Sequence, residues 1–366
     1  MIKAKRDELL APLAAVSGII ERRHTLPILS NVLIDGAGEN LSFLATDIEI
    51  QIAARSGLGS SRDSRAFTVG ARKLLDILRA LPEEAEVNLQ LQDKRLLVKA
   101  GRSRFTLQTL PAEDFPRLAR AAGDSARFSL PQKVLRRQLS LVHYAMAQQD
   151  IRYYLNGLLM VVDAGELRLV ATDGHRLAFA SLALEASMPK QEAIVPRKTV
   201  LELTKLLADS DDEVRIELSG SQAAFTFGSI ELVTKLVDGK FPDYTRVIPT
   251  QHKNVLQAQR EPLRQALQRA AILSNEKFRG VRWVLGDSSL KIVSSNAEQE
   301  EAQEELEVGY NGDALDIGFN VNYLLDVLNN VPGGEIECAF GDASSSVLIS
   351  YASEKDFKYV VMPMRI

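Results

Sequence analysis

The sequence predicts an α+β fold of three tandem domains with similar architecture. Its 366 residues exceed what one ordinary hydrophobic core accommodates and suit two or three domains. Short patterns recur at intervals of about 125 residues, close to one third of the chain. In each interval two helical patterns alternate with several short strand patterns, which is typical of helices packed on antiparallel sheets.

Three landmarks define the repeat. A strand ends in a polar turn in each copy, at Thr46-Asp47, Thr172-Asp173 and Ser295-Asn296. A helix opens in each copy, at residues 71–75, 196–200 and 320–324. A closing segment occurs twice, at residues 110–116 and 236–242. These landmarks predict domains over residues 1–124, 125–252 and 253–366, and the third copy matches least well.

Helices and strands within the repeats are predicted from their periodicity. Leu74, Leu75 and Leu78 form an apolar stripe at helical spacing. Val87 and Leu89 alternate with polar residues, as in a strand. Applied along the chain, these patterns predict helices over residues 7–17, 72–80, 132–143, 197–207, 261–271 and 321–330. Pro12 lies inside the first of these and leaves its start open.

The composition is that of a globular protein, with 46% hydrophobic and 25% charged residues. Cys338 is the single cysteine, so the sequence predicts no internal disulfide and no metal site built from paired cysteines. We also expect no metal and no cofactor. The N-terminal segment lacks an apolar stretch followed by small residues, and no apolar run approaches the roughly 18 residues of a membrane span. We therefore expect no signal peptide, no membrane partner and a cytoplasmic location.

Charge is distributed unevenly along the chain. The formal net charge of -4 argues against a protein that grips DNA electrostatically. The six predicted helices nevertheless carry more Lys and Arg than Asp and Glu, so negative charge lies mainly elsewhere. One interpretation is an ordinary helix surface. The other is a shallow positive surface that tolerates DNA, although the helix predicted over residues 321–330 has no Lys or Arg.

Several longer segments lie in all three repeats, at residues 101–105, 149–157, 172–177, 235–244, 272–282 and 359–366. Together they resemble the bacterial DNA polymerase III beta subunits, the family of DNA sliding clamps. The resemblance implies a head-to-tail homodimer of three-domain protomers, which forms a ring with helices inside and antiparallel sheets outside. It also implies a non-catalytic processivity factor that encircles duplex DNA and needs a clamp-loading ATPase to open it.

For duplex DNA, bound without sequence preference, the resemblance implies contacts from Arg23, Arg72, Gln149, Tyr153 and Tyr154. Arg and Gln side chains can reach phosphates, and Tyr can form hydrogen bonds or stack. The alternative for the two tyrosines is packing within the fold. The segment over residues 21–24 departs from the glycine-rich loop that is frequent in the family.

For protein partners, the resemblance implies a hydrophobic cleft between the second and third domains that takes short linear motifs in extended form. The partners would be the alpha subunit of the replicative polymerase, the clamp loader, other DNA polymerases and repair proteins. The matching positions are Leu155, Thr172, Gly174, His175, Arg176, Leu177, Pro242, Arg246, Val247, Asn320, Tyr323, Ser346, Val360, Val361, Met362, Pro363, Met364 and Arg365. Composition alone would assign the apolar C-terminal tail to strand core, although Met-rich surfaces also suit varied ligands.

For the homodimer, the resemblance joins the first domain of one chain to the third domain of another. The positions in the first domain are Arg95, Arg102, Arg104, Phe105 and Leu107. Those in the third domain are Ile272, Leu273, Glu298, Glu300, Glu301 and Glu304. Opposite charges and unpaired strand edges favour such an association. The alternative is that the glutamate run is an ordinary solvated face.

An enzyme and an ordinary DNA-binding protein are the alternative functions. Asp173 and His175 suggest acid–base chemistry. However, the sequence has no nucleophile elbow, phosphate-binding loop or zinc-protease motif, and in the first repeat no His follows Asp47. A metal-dependent nuclease that uses scattered carboxylates stays open at this stage. An ordinary DNA-binding protein would release DNA of any topology as the salt concentration rises.

Overall fold

The computed structural model describes residues 1–21, 25–36, 40–57, 66–121, 125–351 and 354–366. The helices within them are α1 (Arg6–Ser17), α2 (Ala71–Ala80), α3 (Gln132–Val142), α4 (Arg197–Leu206), α5 (Arg260–Ile272) and α6 (Val321–Asn330). These bounds agree closely with the helices predicted from periodicity. None of the described helices combines the length and the hydropathy that a membrane-spanning helix requires.

The strands fall into three groups that follow the repeats. The first group is β1 (Ile2–Lys5), β2 (Asn31–Asp35), β3 (Leu41–Thr46), β4 (Ile50–Ser56), β5 (Phe67–Gly70), β6 (Glu86–Gln92), β7 (Arg95–Ala100) and β8 (Ser103–Leu110). The second is β9 (Ala126–Pro131), β10 (Gly157–Asp163), β11 (Glu166–Thr172), β12 (Arg176–Ala183), β13 (Gln191–Pro196), β14 (Glu213–Leu218), β15 (Gln222–Phe227) and β16 (Ile230–Lys235). The third is β17 (Asn254–Gln259), β18 (Gly280–Gly286), β19 (Ser289–Ser295), β20 (Glu301–Glu307), β21 (Leu315–Asn320), β22 (Glu335–Phe340), β23 (Val347–Tyr351) and β24 (Glu354–Val361).

The chain forms two compact units. The first unit comprises residues 1–136 and 201–236 and holds a 12-stranded sheet in the order β1-β6-β7-β8-β5-β2-β3-β4-β16-β15-β14-β9. The second unit comprises residues 137–200 and 237–366. It holds an 8-stranded sheet, β13-β10-β11-β12-β24-β23-β22-β17, and a 4-stranded sheet, β20-β19-β18-β21.

The strand orders confirm the threefold repeat. The third copy, which matches least well in sequence, has the same strand order as the other two. One set of four strands appears as β1-β6-β7-β8, β9-β14-β15-β16 and β17-β22-β23-β24. The other set appears as β5-β2-β3-β4, β13-β10-β11-β12 and β21-β18-β19-β20. Each repeat therefore contributes two sets of four antiparallel strands and two helices, as the α+β prediction requires.

Both sheets of the second repeat continue into a neighbouring repeat, which explains why its strands are shared between the two units. β4 pairs with β16, where Gln51 lies opposite Val233; we call this pairing the first junction. β12 pairs with β24, where Leu177 lies opposite Val360; this is the second junction. Within the described residues, the strands at the corresponding positions of the first and third repeats have no such junction partner: β8 is unpaired on one side over residues 103–108, and β20 ends its sheet.

Helix α1 begins at Arg6 and continues through Pro12. The carboxylate of Glu8 accepts the backbone N–H of Lys5 at 2.7 Å, which satisfies an N-terminal donor and fixes the helix start. Pro12 is buried on the core face. The helix therefore compensates for one missing backbone donor by burying the proline ring.

The third repeat packs around the single tryptophan, Trp283. Its ring meets Phe319 edge-on, with ring centroids 5.4 Å apart, and Phe340 lies on another side. Cys338 is fully buried in the same repeat. Burial raises the pKa of its thiol to about 12, so Cys338 is protonated at neutral pH and serves as a core side chain.

Candidate functional site

A rigid turn between β11 and β12 carries the residues around Asp173. The hydroxyl of Thr172 donates to the Arg176 carbonyl at 2.6 Å and accepts the Gly174 N–H at 3.1 Å. One Asp173 oxygen accepts the backbone N–H groups of His175 and Arg176 at 2.9 and 3.1 Å. Gly174 has a φ of +89°, which glycine adopts without strain. The turn is therefore fixed by its own side chains.

Asp173 does not form an acid–base pair with His175. One carboxylate oxygen is committed to the two backbone N–H groups, and the other accepts the Arg176 Nε–H at 3.1 Å. Across the described residues, no group of three or more His, Cys, Asp or Glu side chains could hold a metal ion. The polar turn is an architectural element, as its recurrence in the first repeat suggested.

The turn borders a pocket of about 190 Å³ in the second unit. Its floor consists of the buried side chains of Leu155, Leu177, Phe241 and Val360. The rim includes Val247 and Met362, which are 39% and 47% exposed. The other lining residues are Arg152, Thr172, Gly174, His175, Arg176, Pro242 and Tyr244. An apolar floor bordered by several polar side chains suits apolar anchor side chains of a ligand whose backbone stays at the surface.

The pocket floor is the outer layer of a hydrophobic cluster, which fixes its shape. Leu159, Val161, Val170 and Ile194 of strands β10, β11 and β13 pack beneath it. The C-terminal strand closes the other side, since the Met362 N–H donates to the His175 carbonyl at 2.9 Å. The pocket is therefore largely preformed, because its walls are held by strand pairing.

Arg176 ties the turn to helix α6. Only 9% of its side chain is exposed, and its guanidinium donates to Asp326 at 2.5 Å and to the Tyr144 carbonyl at 2.7 Å. The ring of Tyr323 lies against the guanidinium, with the centroid 4.5 Å from Cζ. The hydroxyl of Tyr359 donates to the Tyr323 carbonyl at 2.9 Å, which anchors α6 on β24.

Arg152 forms the cationic edge of the pocket. Asp150 accepts its Nε–H at 3.0 Å and an Nη2–H at 2.9 Å, and the Asp173 carbonyl accepts Nη2 at 3.1 Å. The guanidinium lies so close to Gly174 that a Cβ there would come within 3.0 Å of it. Glycine at this turn therefore serves two purposes, a positive φ and room for Arg152.

The first junction uses the same turn with different side chains. The Thr46 hydroxyl donates to the Ile50 carbonyl at 2.8 Å, and the Lys235 N–H donates to the Glu49 carbonyl at 2.9 Å. Gln51 stands where the second junction has Leu177, and its side-chain oxygen accepts the Leu118 N–H at 2.9 Å. A glutamine bonded to the chain's own backbone therefore stands where the second junction has a leucine of the apolar floor.

The remaining predicted cleft residues surround the pocket without lining it. Asn320 caps α6 by accepting the Asn322 N–H at 2.9 Å, and Tyr323 supports Arg176. Ser346 accepts a hydrogen bond from His252 Nε2 at 2.7 Å through its carbonyl. The Met364 N–H donates to the Gly318 carbonyl at 2.8 Å. The others are Val361, which is buried, Pro363, which is half-buried, and Arg246 and Arg365, which are exposed.

Sequence reasoning missed Arg152, Phe241 and Tyr244, which line the pocket. All three lie inside segments whose resemblance was recognised, at residues 149–157 and 235–244. The available signal was position: Arg152 directly precedes Tyr153 and Phe241 directly precedes Pro242, and both neighbours were predicted as site residues. Phe278, which is 58% exposed, is a further large apolar side chain at the surface of the third repeat.

Of the residues expected to contact DNA, Arg72, Gln149 and Tyr153 are exposed. Arg72 lies on α2 and Gln149 on the segment after α3. Tyr153 is 58% exposed, whereas Tyr154 is half-buried and meets it edge-on at 5.8 Å between centroids. Arg23 lies outside the described residues. The segment over residues 149–155 thus carries three of these residues and also supplies Arg152 and Leu155 to the pocket.

The residues expected at the dimer interface include basic and apolar side chains along β7 and β8. Arg95 and Arg104 are exposed strand residues, while Arg102 lies in the turn between the two strands. Phe105 and Leu107 are half-buried and alternate with exposed neighbours on β8. This alternation leaves one face of the strand apolar beside its free edge.

The acidic positions of the third repeat are exposed, with one exception. Glu298, Glu300 and Glu301 are exposed, whereas Glu304 accepts two hydrogen bonds from Arg269 of the same chain at 2.9 and 2.6 Å. These bonds lower the pKa of Glu304. Ile272 is 76% exposed at the end of α5, next to the half-buried Leu273.

Comparison with protein families covers nearly the whole chain. The family models of the DNA polymerase III beta subunit match residues 1–119 with the N-terminal domain, 129–243 with the central domain and 245–365 with the C-terminal domain. The chain belongs to the DNA polymerase III beta subunit family. Members of this family are sliding clamps, which are non-catalytic processivity factors that form homodimeric rings and bind DNA and polymerase partners.

Individual sliding clamps are similar to the chain along its full length. It is 49% identical to the beta sliding clamp of Pseudomonas aeruginosa over 365 residues, and 47% identical to that of Escherichia coli over 362 residues, with 99% of each protein covered. A crystal structure of the P. aeruginosa clamp bound to griselimycin has a TM-score of 0.95 at 48% identity, and the match covers 100% of this chain and 99% of that one. The chain is therefore a clamp protomer and not an enzyme.

The hydrogen bonds from Arg152 give Asp150 an unusual acidity that can be measured. They lower the pKa of Asp150 to about 2. Since the folded-state pKa lies below the ordinary value of about 4, the interaction is complete above pH 4 and is lost as the pH falls through 2. We expect NMR titration of the Asp150 carboxyl carbon to show this low midpoint, and Arg152→Ala to return it to the ordinary range. An ordinary midpoint in the unaltered protein would contradict the pairing.

Proposed function

We propose that the pocket at the second junction is the site where this clamp binds short linear motifs of its partners. The alpha subunit of the replicative polymerase, the clamp loader, other DNA polymerases and repair proteins would share it. The observation that carries the proposal is the apolar floor of Leu155, Leu177 and Val360 beneath a fixed turn. Such a surface accepts anchor side chains of extended peptides from several sources.

The proposed mechanism is topological tethering. A ring of two protomers encircles duplex DNA and presents two pockets, one from each protomer. Two pockets on one ring keep a bound polymerase at high effective concentration near the primer end. Tethering of a polymerase takes place on the bacterial chromosome, so we assign the protein to the cytoplasm.

DNA contact is proposed for the exposed residues Arg72, Gln149 and Tyr153, with Tyr154 partly committed to packing. Arg23 joins them through the family resemblance. These contacts are few and the net charge is -4, so the DNA should be held by closure of the ring and not by affinity. Weak polar contacts of this kind permit sliding.

The ring mechanism is tested by retention on DNA of different topology. We expect the protein, loaded onto nicked circular plasmid by a clamp loader with ATP, to survive high salt on the circle and to leave when one cut linearises it. The measurement is the protein that co-elutes with DNA on gel filtration before and after the cut. Retention on linear DNA that only salt removes would indicate an ordinary DNA-binding protein instead.

The pocket is tested with griselimycin, the ligand bound in the P. aeruginosa clamp structure. We expect calorimetry to show that it binds this chain, and that Val247→Ala with Met362→Ala weakens binding by about tenfold or more. Both side chains are exposed, so the fold should persist. The matched control is Ile151→Ala, an apolar side chain that is 95% exposed and lies outside the pocket lining. Equal losses in both variants would show that the pocket has been misassigned.

The dimer contact is proposed from the repeat itself. One position recurs in all three repeats: the residue that pairs with the last strand residue before the polar turn. It is occupied by Gln51, Leu177 and Glu301. At the two junctions within the chain, this position faces Val233 and Val360. The third junction needs the free edge of β8, which the family's head-to-tail arrangement takes from a second chain.

The register of that contact follows by counting along β8. Thr106 is the fourth residue of β8, as Val233 is of β16, and the hairpins before both strands have the same pairing. Glu301 should therefore lie opposite Thr106 of the partner subunit. In this register Arg104 of the partner subunit stands diagonally across from Glu301, and the half-buried faces of both strands meet.

Engineered cysteines test the register. We expect Glu301→Cys with Thr106→Cys to form a cross-linked dimer under mild oxidation, because directly opposed antiparallel residues have Cα atoms about 5 Å apart. Cys338 is buried and should not interfere. The matched control, Glu301→Cys with Gln108→Cys, keeps the same strand face but moves the pair two residues apart. Preferential cross-linking of the control pair on a non-reducing gel would reject the register.

The apolar part of the same contact supports the cross-linking test. Ile272 is 76% exposed and Leu273 half-buried in the protomer, so replacing both by Ala should cost the fold little. We expect this double variant to run as a folded monomer at micromolar concentration in light scattering. A full-strength dimer would remove Ile272 and Leu273 from the interface.

A further inference from the structure

The guanidinium of Arg176 is a buried cation whose three acceptors come from different parts of the second unit. Asp173 belongs to the same turn, and Tyr144 offers a neutral carbonyl. Asp326 belongs to α6 and lies 150 residues away in sequence. Among these three acceptors, Asp326 alone is a charged group of the third repeat that contacts a side chain of the second repeat.

Asp326 reaches Arg176 but does not line the pocket. Tyr323, one helical turn earlier on α6, covers one face of the same guanidinium. Helix α6 thus supplies both an anion and an aromatic face to Arg176, while Arg176 lines the pocket beside His175 and Leu177. Asp326, which does not line the pocket, is therefore connected to the pocket surface through a single residue, Arg176.

Removal of the Asp326 charge should alter the pocket. A guanidinium that is 9% exposed would keep a single carboxylate partner, and an under-compensated buried charge moves towards water. The open pocket that Arg176 lines is the adjacent route to solvent. The guanidinium would then intrude into the space that the apolar anchors of a ligand need.

We propose that Asp326 is a positioning residue for the partner pocket, which holds the Arg176 side chain against α6 and so keeps the pocket open. The proposal rests on the proposed partner-binding function of that pocket. It adds a residue of the third repeat, outside the lining, on which recognition depends. It also means that the pocket requires α6 to be docked on β24, as the Tyr359 hydrogen bond to Tyr323 holds it.

The test is a double-mutant cycle read out by griselimycin affinity in calorimetry. We expect Asp326→Asn to weaken binding by about tenfold, the scale of one charge-assisted hydrogen bond. In an Arg176→Ala background the same change should cost less than about twofold, because its intermediary is gone. Additive losses in the cycle, or unchanged affinity in Asp326→Asn, would overturn the proposal.

The matched control is Asp316→Asn, the same chemical change in the same repeat. Asp316 pairs with Arg282 at 3.1 Å, with both side chains about half exposed, and it lies outside the pocket. Its affinity should equal that of the unaltered protein. If Asp326→Asn fails to fold, Asp326→Glu retains the charge and should keep the affinity within about threefold of the unaltered protein, whereas Asp326→Ala should lose about tenfold; equal affinities in these two variants would count against the proposal.

Hydrogen exchange separates this proposal from the proposed function. The Met362 amide donates to the His175 carbonyl at the pocket edge, and we expect Asp326→Asn to speed its exchange while Asp316→Asn does not. If the unaltered protein fails to bind griselimycin, the pocket assignment falls, but the exchange rate still decides whether Asp326 positions this edge. Unchanged exchange at Met362 would then overturn the positioning role.

Discussion

The structure depends on one constraint: a strand at the edge of a sheet leaves backbone N–H and C=O groups that need partners. At the first and second junctions, the next repeat of the same chain supplies the missing strand. Three repeats in a row make two such junctions, and the strands that would make a third, β8 and β20, are left without this partner. A second chain placed head to tail satisfies both edges at once. Sheet continuity thus gives a physical reason why the family forms closed dimers.

The same constraint builds the pocket. Pairing of β12 with β24 brings the C-terminal strand beside the turn at Asp173, and the first junction repeats that backbone arrangement. Only side chains distinguish the two: Leu177 forms an apolar floor, whereas Gln51 bonds the chain's own backbone. The pocket therefore depends on a few side chains placed on a repeated backbone frame, and the fold alone does not specify it.

The sequence predicted the helices and strands better than it predicted which of them pack or pair with each other. Helical stripes such as Leu74, Leu75 and Leu78 report burial on one element, so the helices and the repeat followed directly from periodicity. Which distant strands pair leaves no periodic signal, and for that reason Phe241 and Tyr244 were missed in the pocket. Glu304 is expected at the contact with a second chain, and in the protomer it also accepts a hydrogen bond from Arg269 of its own chain. A run of like charges cannot reveal which member has an internal partner.

Arg176 shows why the pocket depends on more than its lining. Buried ion pairs contribute little net stability, because desolvation offsets most of the attraction. Their firmer effect is geometric: a planar guanidinium with several fixed acceptors has one orientation. Since those acceptors come from two repeats, the orientation exists only when both repeats are folded and docked at the second junction. A protomer in which that junction has not formed would therefore lack the pocket.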